Sequence, residues 1–307
     1  MNETTRIYWL HALTPLHVGV GSGLGYIDLP IMREKVTNWP LVPGSAIKGV
    51  LADYYGADEQ TRETNEKLRL AFGKAGKGIN DSGQSGSLVF TDSHIVCLPI
   101  RSLYGTFAWC TCPLVLNRLV RDLKAAGITQ TDCLVTEPDE LQVWTPKETE
   151  IKLTENNEDK VYLEDLDLTR EPNDDTETWA EFIGDCLFAD EQWKKVFKER
   201  FAILSDKVFD FLCETGTEVN ARVRIKDETK TVENGALWYE EALPAETILC
   251  GMVWCDRVFG GNGASIQPKT LLATYCSSKS DLEVQIGGKA TIGHGRVRCV
   301  FKGGESS

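Results

Sequence analysis

Thr217-Glu-Val-Asn-Ala-Arg-Val-Arg-Ile-Lys226 alternates without a break. Thr217, Val219, Ala221, Val223 and Ile225 fall on one side, and Glu218, Asn220, Arg222, Arg224 and Lys226 fall on the other. A period of two is a strand, here with one apolar face and one polar, mostly basic face. Asp227-Glu-Thr-Lys230 reads as a turn, and Thr231–Glu241 returns, so 215–241 is predicted to be a β-hairpin. Two readings of its basic face stand open: a track for an RNA backbone, or a solvated surface that only keeps the hairpin soluble.

Outward from the hairpin, strands and helices alternate without regular βαβ spacing. Arg6–Val18, Ser87–Ile100, Tyr104–Cys112, Thr247–Val258 and Glu283–Lys302 read as strands. A helix is expected to start near Pro43, capped by Ser45, and to run to about Tyr55. Leu116, Leu119, Val120 and Leu123 stand at helical spacing, and Gly127 sits where a C-terminal cap belongs. Trp193–Leu204 and Ser205–Cys213 are further helical candidates, and Gly73–Gly86 reads as a mobile loop. Together these predict an α+β fold with a mainly antiparallel sheet.

Of the 307 residues 42% are hydrophobic and 26% charged, as in an ordinary folded domain. No apolar run approaches the roughly 20 residues needed to cross a bilayer, and the first residues do not read as a secretory signal, so a cytoplasmic protein without membrane contact is expected. None of the ten cysteines forms a CxxC pair; Cys97 and Cys250 lie in apolar runs, so reduced, buried thiols are expected. The net charge is −13, but residues 137–177 carry 15 acidic and 4 basic side chains, leaving −2 for the other 266 residues. The acidity belongs to one segment, read as an insertion with a solvated face, and does not exclude a nucleic-acid partner.

Gly19–Gly25 has the spacing GxGxGxG, which matches neither a dinucleotide fingerprint nor a P-loop. Its glycines do permit close approach of a backbone to phosphate. Gly287–Gly295 mixes glycines with Lys289 and His294, with Arg296 following; it reads either as a phosphate track or as a glycine-rich strand with bulges. Asp28, by itself, reads as a turn former.

His11-Ala-Leu-Thr-Pro-Leu-His-Val-Gly19, Ile27-Asp-Leu-Pro-Ile-Met-Arg-Glu34 and Pro43-Gly-Ser-Ala-Ile-Lys-Gly49 open a series. It continues through Ser87–Asp92, Arg101–Trp109, Tyr162–Leu166, Thr217–Arg222 and Glu233–Glu240, and ends in Ile286–Arg296. In this order, over about Trp9 to Arg298, the series resembles the backbone subunit of type III-B CRISPR (Cmr) effector complexes, within the RAMP superfamily.

The resemblance implies one RAMP domain over 1–307: a ferredoxin-like (RRM-like) palm, a β-hairpin thumb at 215–241 and the acidic insertion at 137–177. It implies partners too: a guide crRNA, a single-stranded target RNA, further copies of the same chain in a helical filament, and other Cmr subunits. Each thumb would intrude into the guide–target duplex and kink it, turning Arg222, Arg224 and Lys226 toward RNA. Asp28 matches the residue associated with target cleavage, and His17 and Glu240 match positions near the scissile phosphate, His17 as an acid or phosphate contact and Glu240 as a support for the metal. Lys48 and Ser45 at the helix start, with Gly287, Gly288, Lys289, Gly293, Gly295 and Arg296, would bind guide phosphate. Asp28 would hold Mg²⁺ or Mn²⁺ or act as a base; the metal role is preferred, because an ordinary aspartate with a pKa of about 4 is a poor base at pH 7. Other readings are a filament subunit that binds RNA without cutting, a stand-alone ribonuclease that trims guide precursors, and a small-molecule enzyme.

Overall fold

The computed structural model describes residues 3–23, 25–56, 61, 64–74, 83–128, 136–260 and 266–303. Its centre is β1 (Thr5–Ala12), whose eight residues are all buried. Such a run suits a strand covered on both faces. The remaining strands of the main sheet's path are β2 (Ser93–Arg101), β3 (Phe107–Thr111), β4 (Gln142–Thr145), β5 (Lys152–Glu155), β6 (Glu158–Leu163), β7 (Leu166–Pro172), β8 (Phe201–Leu204), β9 (Ile248–Trp254), β10 (Asp281–Gln285) and β11 (Arg296–Lys302). They lie in the order β10-β11-β1-β9-β2-β3-β8-β4-β7-β6-β5. All neighbours run antiparallel except β3 with β8 and β4 with β7. The sheet is thus mainly antiparallel, in an α+β fold of ferredoxin-like RAMP type.

Helix α1 (Gly44–Tyr55) begins one residue before Ser45, and its N-cap is Pro43. Ser45 is exposed in the first turn and does not cap. A residue from another element does so, because the Gly44 N–H donates to Asp92 Oδ1 at 2.9 Å. Helix α2 (Glu66–Phe72) follows, and α3 (Pro113–Ala125) buries Val115, Leu116, Leu119, Val120 and Leu123, the face its spacing predicted.

Several expectations are corrected. The first strand ends at Ala12, after which Leu13 N–H donates to Arg296 O and Gly295 N–H to Pro15 O. The predicted helix Trp193–Leu204 is a helix, Glu191–Lys198, followed by the strand β8, whose four residues are all buried. A short apolar run buried between two strands has no periodicity that separates it from a helix. Within Gly73–Gly86, Gly73–Lys74 pairs with Gln84–Ser85, and residues 75–82 lie outside the described part.

The acidic segment folds as β4 to β7 and runs into α4 (Asp174–Leu187). Asn173 caps this helix, and Asp174, Asp175 and Glu177 occupy its first turn, where carboxylates complement the dipole. Each of the segment's four cations pairs with one of its own carboxylates: Lys147 with Asp174, Lys152 and Arg170 with Asp159, and Lys160 with Asp167. After α5 (Glu191–Lys198), α6 (Asp206–Thr215) starts at the predicted cap, Ser205, which accepts from Val208 N–H. One further helix, α7 (Pro268–Tyr275), precedes β10.

The hairpin stands apart as its own two-stranded sheet, Glu218–Ile225 paired antiparallel with Val232–Ala242. Its apolar face is open, with Val219, Val223, Ile225, Val232 and Leu237 all exposed. The nine described cysteines are free thiols, eight of them buried; burial pushes Cys299 up to about 12. Among the described residues, no helix is long and apolar enough to cross a membrane.

Because Asp92 rather than Ser45 caps α1, Asp92→Ala should cost about 1 kcal/mol in urea unfolding. Ser45→Ala should leave the midpoint nearly unchanged.

Candidate functional site

The site forms where the Gly19–Pro30 loop meets the second hairpin strand. Leu29 N–H donates to Tyr239 O at 3.1 Å and Glu241 N–H to Leu29 O at 3.0 Å, so the loop lies along the hairpin's outer edge. Asp28 extends this contact, with Oδ2 accepting from Tyr239 N–H at 2.8 Å. Asp28 is exposed, and among the described residues Oδ1 has no hydrogen-bond partner.

Glu241 fastens the junction from within. It is 2% exposed, and its Oε1 accepts from Arg33 Nη2 at 2.5 Å and from Thr217 Oγ1 at 2.9 Å. Oε2 accepts from Ile31 N–H at 3.0 Å. Its backbone carbonyl accepts from His17 Nδ1 at 2.6 Å, which leaves Nε2 as the second, proton-accepting nitrogen of that ring. Arg33 also donates to Asn38 O and Cys213 O. The segment after Asp28 and the start of the hairpin therefore share one carboxylate, while His17 joins through the same residue's carbonyl and the end of α6 through Arg33.

On the hairpin's polar face, His17, Asn220, Arg222, Glu240 and His294 line a shallow cleft. Glu240 accepts from Lys289 Nζ at 2.5 Å and Trp238 Nε1 at 2.6 Å through Oε1, and Arg222 Nε approaches Oε2 at 3.4 Å. Burial alone would raise its pKa; Lys289, Trp238 and Arg222 outweigh this and hold the carboxyl below its ordinary range. Burial raises Glu218, against the opposing influence of His294 and a hydrogen bond from Asn220. His294 Nδ1 is buried without a hydrogen-bond partner, whereas Arg222 Nε keeps its looser ion pair with Glu240. Leaving such a group unanswered costs about 1–3 kcal/mol.

The structure gathers most, not all, of the residues named from the sequence. His17, Glu240, Arg222 and Lys289 meet at the hairpin base, while Asp28 sits on its outer edge, bonded to Tyr239 N–H rather than to any of them. Gly287 N–Cα packs on His17: a Cβ there would lie 2.2 Å from His17 O at a φ of +77°, so only glycine fits. Gly288 N–H donates to the same carbonyl at 2.9 Å. Gly293 and Gly295 frame His294 in this loop, but Arg296 turns to Glu283 on β10. Arg224 is exposed, 3.8 Å from Glu233, and Lys226 is exposed near the tip. Lys48 is separate, donating from α1 to Leu88 O at 2.9 Å, with burial lowering its pKa. Ser45 lies beside it on the same exposed turn.

Glu241, Arg33 and Trp238 went unnoticed in the sequence. Glu240 and Glu241 are neighbours on a strand and face opposite ways, and nothing local marks which one turns inward.

Among the described residues, no three His, Cys, Asp or Glu side chains gather to hold a metal by themselves. Glu240 is occupied by cations. The free Oδ1 of Asp28 fits a single protein ligand to a divalent cation whose other positions are filled by phosphate and water oxygens.

Comparison with known proteins places this geometry among relatives. Residues 9–298 match the RAMP superfamily model. The CRISPR system Cmr endoribonuclease Cmr4 of Pyrococcus furiosus is 36% identical, over 95% of this chain and 94% of its own length. The crystal structure of oligomeric Cmr4 from that organism superposes with a TM-score of 0.73 at 28% identity, covering 98% of this chain and 99% of the other. A chain of the type III-B Cmr-beta complex bound to cognate target RNA, seen by cryo-EM, shares the fold at 18% identity, with a TM-score of 0.71 and coverage of 97% and 96%.

Glu241→Ala strips Arg33 of its buried partner and should destabilise the protein by about 3 kcal/mol in denaturant. Hydrogen exchange at Ile31 and Leu29 should rise more than at β1, which the side chain does not touch.

Proposed function

Because this chain belongs to the RAMP superfamily, we propose that it is the backbone subunit of a type III-B CRISPR (Cmr) effector, an endoribonuclease that grips guide crRNA and cuts the paired target RNA. The observation that carries this reading is the bond between Asp28 and the Tyr239 N–H, which fixes a free carboxylate oxygen at the base of a projecting basic hairpin. The Cmr endoribonuclease name of the Pyrococcus relative supports cleavage. That relative's oligomeric crystal form supports stacking of copies.

In this reading base pairing selects the target, while the protein holds backbone and shape. The thumb presents Arg222, Arg224 and Lys226 to phosphates, and Gly287–Gly295 with Lys289 offers amides and a cation to the guide. Lys289 and Arg222 exchange Glu240 for phosphate as RNA enters. Lys48 and Ser45 meet the guide at the α1 start, with Lys48 keeping one N–H on Leu88 O. Intrusion of the thumb splays one target nucleotide and turns its 2′-OH in line with the next phosphate.

Asp28 would be the only protein ligand of Mg²⁺ or Mn²⁺, an ion that stabilises charge on the phosphate when bound. Tyr239 N–H fixes the orientation of this carboxylate. His17, held through Nδ1 by Glu241 O, presents Nε2 as acceptor for the 2′-OH proton. A reducing cytoplasm suits the free thiols.

Reconstituted complexes carrying Asp28→Ala should bind labelled target normally and lose spaced cuts by roughly 10²-fold or more; undiminished cutting would make the chain a non-cleaving filament subunit. Arg222→Ala combined with Arg224→Ala should weaken RNA binding and lower the slope of log affinity against log salt by roughly one per lost phosphate contact. An unchanged slope removes the thumb track.

A further inference from the structure

Resting on this reading of the site, we propose that His294 is its second working imidazole, the group that protonates the departing 5′-oxygen as the target is cut. Its loop holds it in place: His294 N–H donates to Lys289 O at 3.2 Å, and His294 O accepts from Gln285 Nε2 at 2.7 Å. The next residue must be glycine, since a Cβ on Gly295 would lie 2.1 Å from Ile286 O. The ring lines the same cleft as His17, and its Nδ1 is buried with no hydrogen-bond partner. Arg222, in that cleft, points its Nε at Glu240 Oε2 across 3.4 Å, an ion pair too loosely aligned to count as a hydrogen bond. An unbonded ring nitrogen beside a guanidinium suits a phosphodiester, whose oxygens accept from both once Arg222 releases Glu240.

The groups around the ring come from every neighbouring element. Glu218, Asn220 and Arg222 face it from the first hairpin strand and Glu240 from the second. His17 comes from the segment after β1, and Lys289 belongs to its own loop. Imidazole is a side chain able both to hold and to pass on a proton.

The step balances without a co-reactant. The 2′-oxygen bonds to phosphorus, and its proton passes to His17 Nε2. The bond from phosphorus to the 5′-oxygen breaks, and His294 gives that oxygen a proton. The products are a 2′,3′-cyclic phosphate and a 5′-hydroxyl.

The test uses the reconstituted complex with two targets, natural RNA and RNA with sulfur in place of the scissile 5′-oxygen, because a thiolate leaves without a proton. His294→Ala and His294→Gln are compared, the second filling the ring's space, with target binding measured for both. The expected result is a loss of about 10²-fold or more on natural RNA, with sulfur RNA cut near the wild-type rate. Equal loss on both targets with binding intact, or no loss on either, overturns the proposal. If His294 variants cut normally while Asp28→Ala does not, only the role of His294 falls; if Asp28→Ala also cuts normally, the site lies elsewhere.

Discussion

A carboxylate taken out of water must be answered by charge and hydrogen bonds inside the protein, and Glu241 meets that requirement with three partners drawn from two distant segments. Arg33 supplies the opposite charge, Thr217 a hydroxyl and Ile31 a backbone N–H. Replacing any one partner leaves the others facing a charge that is poorly compensated. That constraint aligns the Asp28 loop with the hairpin, since Ile31 lies three residues beyond Asp28. It also sets the imidazole of His17, which bonds to the same residue's carbonyl. A second ion pair continues the clamp: Arg118 on α3 grips Glu34 with two hydrogen bonds and is the main reason its pKa falls to about 2.

The neighbouring cleft is arranged differently. Glu241 is locked, whereas Glu240 holds Lys289 and Arg222 through contacts that an incoming phosphate can replace. In the free protein the carboxylate keeps the two cations from repelling each other. A phosphate entering as proposed would have to compete with the same carboxylate, which would temper the affinity for any stray polyanion. The surplus negative charge on β4 to β7 acts in the same sense at longer range, because their cations are already paired within the segment.

Much of this could be read from residues alone where a pattern repeats. The alternation at 217–226 became a strand, Glu218–Ile225, and the spacing of Leu116, Leu119, Val120 and Leu123 became α3. Patterns failed where burial removed them, as at Phe201–Leu204, or where charge masked them, as along β6 and β7, whose buried Val161, Leu163 and Leu168 sit among acidic residues. At the site, single residues carry no period. Asp28 stood out only through family resemblance, and its bond to Tyr239 spans 211 positions of sequence. Ser45 satisfied every local rule for a cap, and a side chain 48 residues from Gly44 took the role instead.

The hairpin's two faces differ in every property, and its side chains switch face at each residue. Adding or losing one residue in either strand would send Arg222 and Arg224 to the apolar side and turn Val223 toward the cleft. The irregularity between Val223 and Ile225 already marks where pairing shifts near the tip. From the pair Val223–Leu237 to the pair Ile225–Val232 the first strand advances two positions and the second five, so the tip absorbs an uneven change in length while the pairing below keeps its phase. Such a hairpin can vary its reach at the tip while its base keeps an invariant phase.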